Sequence, residues 1–507
     1  MIDRRTVLEL AGGAAAGSVL AGASAAAAPQ VSDIVMMDAS ALADAILTRK
    51  VSCVDVMTAY LDHIAAINPK VNAIVALQDR KGLLAQAHER DAQVARGEIM
   101  GPMHGFPHAV KDLAWVKGIV STSGSPILKD FIPTQDSLPV ERLRAAGAIF
   151  IGKTNAPEFG LGSHTYNPVY GATHNAYDQT KSAGGSSGGA AVSLATRMLP
   201  VADGSDYGGS LRNPAGWNNV FGFRTSFGVV PLAGRDIWSP SMGVTGPMAR
   251  NVVDLAMLLS LQAGYDPRAP LSVTEDGDRF RTPLAADMKG KKIAWLGDFS
   301  SFAPYEPGVL DLCRAALKSF EQIGCIVEDA VPSMPPEPVW QAFMRLRSWQ
   351  QGGELAAYYN DPAKRALMKP EAIWEVENGL KLSAYDITAA SVTRTAWSNA
   401  VDKLFERYDY LIAPTAQTFP FDISETWPHE IAGQKMQTYH EWMKAVCLIT
   451  MTGCPSLAVP AGFSPQGRPM GLQIIAPVHH EVDCLKLAFA YDRATKWPEK
   501  KLPALLG

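Results

Sequence analysis

An α/β fold is what the sequence predicts, and three observations carry that expectation. Short apolar runs of strand character recur along the chain. Between them lie stretches whose apolar residues repeat every three or four positions, the period of an amphipathic helix. The composition is that of an ordinary globular protein, 47% hydrophobic and 19% charged over 507 residues. Alternating strands and helices of this kind can bury a large core.

The N-terminus reads differently from the rest. "MIDRRTVLELAGGAAAGSVLAGASAAAAPQ" carries the pair Arg4-Arg5, then a weakly apolar Gly/Ala-rich run, then small residues suited to cleavage at Ala23-Ser24-Ala25 or Ala26-Ala27-Ala28. This is the pattern of a twin-arginine-type export signal over residues 1–28. The run 6–20 is too short and too weakly hydrophobic for a membrane span. A periplasmic or secreted mature protein without stable membrane association is the expectation.

Residues 29–507 are expected to form one domain. Its helical first part covers about 40–98, a core part 100–260, a variable helix-rich part 290–445, and C-terminal core strands 446–507. "SALADAILTRKVSCVDVMTAYLDHIAAINP" has helical periodicity, with Asp38 or Ser40 as its cap and Asn68-Pro69 as its stop. "GLLAQAHERDAQVARGE" is a second amphipathic helix. "GPMHGFPHAVKD" then breaks the helix with Gly and Pro and runs into a short apolar strand ending at Lys111. "SLPVERLRAAGAIFIGKTN" reads as a helix, Gly147 and a buried strand over 148–151. "AAVSLATRM" is helical, and "LPVADGSD" is a strand running into a loop. "DYLIAPT" and "PSLAVPAGF" are short buried strands.

The part 290–445 holds seven of the eleven tryptophans, at 295, 340, 349, 374, 397, 427 and 442. These either line a pocket for an apolar or aryl ligand or pack between helices. Acidic and basic residues, 50 and 46, are interspersed and sum to −4. With no basic stripe, nucleic acid is not an expected partner. The six cysteines are scattered without a C-x-x-C pair, which reads as buried thiols. No H-E-x-x-H or Cys/His cluster is present, so neither metal nor cofactor is expected.

Three motifs compete for the chemistry. Gly147 to Thr154 matches G-x-x-x-x-G-K-[ST], the signature of a phosphate loop in an ATP-dependent enzyme. Its middle residues Ala148, Ile149, Phe150 and Ile151 are strand-like, where a phosphate loop needs a tight turn. Gly184-Gly185-Ser186-Ser187-Gly188 matches the G-x-S-x-G nucleophile elbow, yet the preceding "NAYDQTKSAG" is not a strand. The third possibility joins several stretches: "GPMHGFPHAVKD", "AGAIFIGKTNAPEFG", "SAGGSSGGAA", "DGSDYGGSLRNPAG", "GVTGPMARNVVDLA" and "GCPSLAVPAGF…GRPMGLQIIA". Together and in this order, over nearly the whole mature chain, they resemble the amidase signature family.

That resemblance implies a mixed, twisted central β-sheet covered by helices on both sides, with the catalytic residues on loops of the 100–260 part. It implies a Ser-cisSer-Lys triad: Ser210 as nucleophile, Ser186 as bridging serine and Lys111 as base, with Ser187 in a supporting role. These roles make chemical sense. A serine needs a base within hydrogen-bond reach. A lysine serves as one only when neutral, which burial favours, and Lys111 ends the apolar run "FPHAV". Backbone amides of Tyr207, Gly208, Gly209 and Ser210 are placed to form an oxyanion hole. Asp206 and Arg212 flank Ser210 and are placed to pair and hold the loop. His108, His164 and His174 lie near the motifs without a role in this chemistry.

The expected activity is hydrolysis of a small apolar or aryl amide through a serine acyl-enzyme, with a small-molecule substrate and no cofactor. Carbamate or ester hydrolysis on the same triad, an amidotransferase A-type subunit working with partner proteins, and an inactive periplasmic binding protein are the alternatives. A homodimer is left open. The sequence departs from the family pattern at Ala183, at "GFRTSFG" (222–228) and at "GWNN" (216–219), where Trp217 is expected to alter the pocket near Ser210.

Overall fold

A computed structural model describes residues 32–234, 236–239 and 241–507. The expected export signal lies outside the described residues. Among the described residues no helix is long and apolar enough to cross a membrane.

The first part is helical, as its periodicity requires. Asp38 occupies the N-cap of the helix Ala39–Leu47, while Ser40 lies inside it and its amide donates to Asp254. Ser52 and Asp55 form a reciprocal capping box that starts the next helix, Cys53–Val71. This helix runs past the stop expected at Asn68-Pro69 and ends at Asn72, whose φ is 50°. Pro69 falls in the last turn, and beyond it Asn68 Oδ1 accepts from the amides of Ala73 and Ile74 at 2.9 and 2.8 Å, which fixes the chain as it leaves the helix. The helix Arg80–Arg96 follows, capped by the Asp79 carboxylate.

Two sheets organise the rest. The smaller places Ile149–Thr154 between Ile74–Val75, antiparallel, and Pro107–Lys111, parallel. The central strand starts one residue later and ends three later than its apolar run predicts, because Gly152, Lys153 and Thr154 continue the ladder with Pro107–Lys111. Lys153 is buried, donating to the Ala114 carbonyl and the Ser121 hydroxyl, with Asp112 3.7 Å away. The G-K-T sequence is therefore strand, and its lysine is committed inside the protein. No phosphate loop exists there, and the ATP-dependent alternative loses its site.

The larger sheet is mixed and eight-stranded. Its spatial order is Ile326–Asp329, Lys292–Trp295, Tyr410–Pro414, Pro469–Ile475, Ser456–Phe463, Phe221–Arg224, Val244–Ala249 and Ala202–Asp206. The first three run parallel and the remaining pairings are antiparallel. The segment 290–445 thus supplies three strands of the main sheet besides its helices Val309–Gln322, Pro336–Tyr359, Pro370–Gly379 and Ala384–Phe405. Helices Arg212–Trp217, Val252–Gln262, Val309–Gln322 and Glu481–Thr495 pack against the strands. One apolar core runs continuously from Val35 to Tyr491. All six cysteines are buried free thiols.

The arrangement that matters lies at one edge. Ala202–Asp206 pairs on one side with Val244–Ala249 and packs beside Pro107–Lys111 of the smaller sheet. Helix Gly188–Ala195 packs against both of these strands. Its approach is close enough that a Cβ on Gly189 would sit 2.4 Å from the Asn155 amide, so glycine is required there.

Candidate active site

Lys111 ends its strand with its side chain sealed from solvent. Nζ lies within hydrogen-bond distance of Ser186 Oγ and Ser187 Oγ, each at 2.8 Å, of Ser205 Oγ at 3.0 Å and of the Ser205 carbonyl at 3.2 Å. Burial pushes its pKa down to about 7, against the opposing pull of Asp206 and Asp203. A neutral amine keeps two N–H groups and one lone pair. Three of its four neighbours are hydroxyls, so one of them can donate back to nitrogen.

Ser205 and Asp203 were missed by motif reading. They sit two residues apart in one strand and so share a face. Asp203 Oδ2 accepts from the Lys111 amide at 3.3 Å, and its Oδ1 pairs with His108 Nε2 at 3.0 Å. Strand alternation in "ADGSD" is the signal that points both at Lys111. The other two histidines are satisfied locally. His164 Nδ1 meets Ser182 Oγ at 2.8 Å, and His174 Nδ1 meets the Gln179 carbonyl at 2.6 Å.

Ser186 follows a cis Gly185–Ser186 peptide and faces a cavity of about 420 Å³. Ser210 lines the same cavity. Ser187 lies behind them: its amide donates to the Ser210 carbonyl at 3.2 Å and its hydroxyl approaches the Ser205 carbonyl at 3.4 Å. No strand leads into Ser186, and residues 183–187 form an irregular turn, so the nucleophile-elbow geometry is absent.

The Ser210 loop is built around the Asp206 carboxylate. It accepts from the amides of Gly209 (2.9 Å) and Leu211 (3.0 Å) and from Arg212 Nε and Nη2, both at 3.0 Å. Arg224 Nη1 adds contacts to the Asp206 carbonyl at 2.8 Å and to Oδ1 at 3.3 Å. Burial alone would raise this carboxyl, but the two guanidinium groups hold it well below the usual range. Arg212 also reaches the Val446 carbonyl, Gln473 and Thr450, which pins the loop to helix Lys444–Thr452 and strand Pro469–Ile475. The departure "GFRTSFG" therefore supplies a working residue, Arg224.

Gly209 turns the loop at φ 102°, with the Val446 side chain pressed against it. Its amide points at Asp206, which corrects the expectation of four amides facing the reaction centre. Among the described residues the amides of Tyr207, Gly208 and Ser210 donate to no protein acceptor.

The cavity walls are mostly apolar, including Leu113, Phe159, Val230, Leu271, Phe343 and Met443, with Arg347 at one side. None of the tryptophans lines it. Trp340 stacks on Phe343 at 5.6 Å, and Trp397 donates to the Leu448 carbonyl. Trp217 is buried behind the site, stacked on Trp442 at 5.5 Å, with its Nε1 on the Thr418 carbonyl. Trp217 thus braces Gly184 from below rather than shaping the pocket. Trp374 and Trp427 line a separate groove. Packing between elements, the second of the two readings, accounts for the tryptophans around the cavity.

This fold, with two serines of two glycine-rich loops at one cavity and a lysine buried behind one of them, defines a class that the comparisons with known proteins identify. The Amidase family model matches residues 55–485, and the chain belongs to that family. It is 32% identical over 480 residues to an acylamidase from Rhodococcus erythropolis, covering 92% of this chain and 97% of that one. It is also 32% identical over 483 residues to the A-type subunit of the glutamyl-tRNA(Gln) amidotransferase from a Picosynechococcus species, covering 90% and 97%. A bacterial aryl acylamidase of the amidase signature family superposes with a TM-score of 0.86 at 28% identity, covering 92% and 98%. The peptide amidase of Stenotrophomonas maltophilia gives 0.75 at 25% identity, covering 91% and 97%.

Proposed function

We propose that this amide hydrolase cleaves a small apolar or aryl carboxylic amide through an acyl-enzyme on Ser210. The observation that carries the reading is the buried Lys111, with a pKa lowered to about 7, bonded to Ser186 beside a cavity that Ser210 shares. Ser186 takes the proton from Ser210 as its own passes to Lys111 Nζ. The Ser210 oxygen adds to the carbonyl carbon, and the resulting oxyanion faces the free amides of Tyr207, Gly208 and Ser210. One such donor is worth about 3 kcal/mol in the transition state. Collapse breaks the C–N bond. The leaving nitrogen takes a proton from Ser186, which Lys111 restores, and water then releases the acid. Ser187, Asp206 and Arg212 hold the two loops.

The apolar walls favour an apolar or aryl substituent, in keeping with the similarity to acylamidases. Export by the twin-arginine route belongs to the same proposal. Twin-arginine export separates the chain from the amidotransferase reading, whose tRNA substrate is cytosolic. The test is a panel of aryl anilides, aliphatic amides, amino-acid amides, carbamates and esters, without ATP or metal, with Ser210→Ala, Ser186→Ala and Lys111→Ala alongside. Turnover of anilides lost in all three variants is expected; equal turnover by wild type and Ser210→Ala would overturn the assignment.

A further inference from the structure

The chemistry above leaves Arg347, a charged group of the cavity wall, without a role. Arg347, from helix Pro336–Tyr359, lines the cavity although only 5% of its surface is exposed. Its Nε donates to Glu375 Oε1 at 2.8 Å and its Nη2 to Tyr439 Oη at 3.1 Å. Nη1 has no acceptor among the described residues. The guanidinium carbon stands 5.2 Å from the centre of the Tyr207 ring, at the start of the Ser210 loop. Arg347 therefore brings an N–H group without a described acceptor to the cavity wall.

The charge of that group is already matched. Glu375 is wholly buried and also accepts from Ser348 Oγ at 2.9 Å, Tyr439 Oη at 2.6 Å and His440 Nε2 at 2.9 Å. Burial would raise its carboxyl, but Arg347 and His440 bring it to about 2, so it is an anion. Among the described residues, the other charged groups lining the cavity are Asp206, locked between Arg212 and Arg224, and the acids Asp236 and Glu354. Among these described groups an anionic ligand would meet two carboxylates and a cation whose charge is already compensated. A neutral carbonyl needs only the donor.

We propose that Arg347 reads a second, neutral carbonyl oxygen of the substrate, so that the preferred amides carry an amide, ester or ketone group beyond the bond that is cut. This rests on the hydrolase reading of Ser210. A site built to donate to such an oxygen disfavours the analogue that lacks it, here by roughly 10- to 100-fold.

The test uses N-acyl anilides of equal chain length that hold a methylene, a ketone or a carboxylate-bearing carbon at successive positions. kcat/KM is measured for wild type, Arg347→Lys and the double variant Arg347→Met/Glu375→Gln. The double variant removes both charges, so that no buried ion is left unpaired. Wild type is expected to favour the ketone over the methylene at one chain position by about 10-fold or more, mainly through KM. That ratio is expected to collapse toward one in the double variant. A wild-type ratio near one at every position, a preference for the carboxylate, or a ketone preference that survives in the double variant would each overturn the proposal. If Ser210→Ala hydrolyses the methylene compounds as fast as wild type, the hydrolase reading itself fails, whatever Arg347 does.

Discussion

Replacing Asp203 with Asn should move the acid limb of the pH–rate profile to lower pH. Lys111 must be neutral to accept a proton, and burial brings its pKa to about 7 while Asp206 and Asp203 hold it up. Asp206 shares its charge with Arg212 and Arg224. Among the described residues Asp203 is ion-paired with His108 alone, so although Asp206 acts more strongly on Lys111, Asp203 is the carboxylate that can be removed without unpairing a buried arginine. Its Oδ2 lies 3.3 Å from the Lys111 backbone nitrogen. Taking the ammonium about 6 Å from that carboxylate and an effective dielectric near 20 gives roughly 3 kcal/mol, about two pKa units, as an upper bound. The sign follows directly. An anion stabilises the protonated lysine, so without it the proton leaves more easily and the neutral base is present at lower pH. Wild-type kcat/KM on an anilide should rise about tenfold per unit below a midpoint near pH 7 and then level off. Asp203→Asn keeps an acceptor for the Lys111 amide and should shift that midpoint down by about one to two units. A midpoint that stays in place or moves up would refute the electrostatic account of Lys111.

Two further changes test the loop around Ser210. Arg212→Met leaves the Asp206 carboxylate buried with Arg224 as its remaining cation, and should cost about 3 kcal/mol in urea unfolding; a change below about 0.5 kcal/mol would show that Arg212 does not balance that charge. Gly209→Ala would place a Cβ 2.5 Å from Val446 Cγ2 at a φ of 102°. Activity should fall at least 100-fold, with a lowered Tm, and near-normal turnover would mean that the loop is not held in this conformation.

Much of the site was legible because its residues sit in short motifs. Lys111 closes an apolar run, and Ser186 and Ser210 stand in two Gly-rich stretches, so each position could be named before its neighbours were known. Asp206 and Arg212 were legible for the same reason. What stayed hidden depends on partners distant in the chain. Ser205 and Asp203 matter only because their strand packs beside Pro107–Lys111. Arg347 matters only because its helix delivers it next to Tyr207. The strand at 149–154 outran its apolar residues because a paired neighbour, rather than hydrophobicity, sets where a ladder ends. Trp217 beside the Ser210 loop looked like a pocket residue, yet side-chain direction turned it into the core against Trp442. The Gly209 amide was counted as a free donor because its engagement with Asp206 is a property of the turn.

The central claim is that Ser210, and neither serine of "SAGGSSGGAA", forms the covalent intermediate. Incubating the protein with a slowly deacylating aryl carbamate, then quenching and mapping the adduct by peptide mass spectrometry, tests it most directly. The account predicts one acyl group per chain on Ser210, absent in Ser210→Ala and formed more slowly in Lys111→Ala. An adduct on Ser186 or Ser187, or labelling that persists in Ser210→Ala, would contradict it.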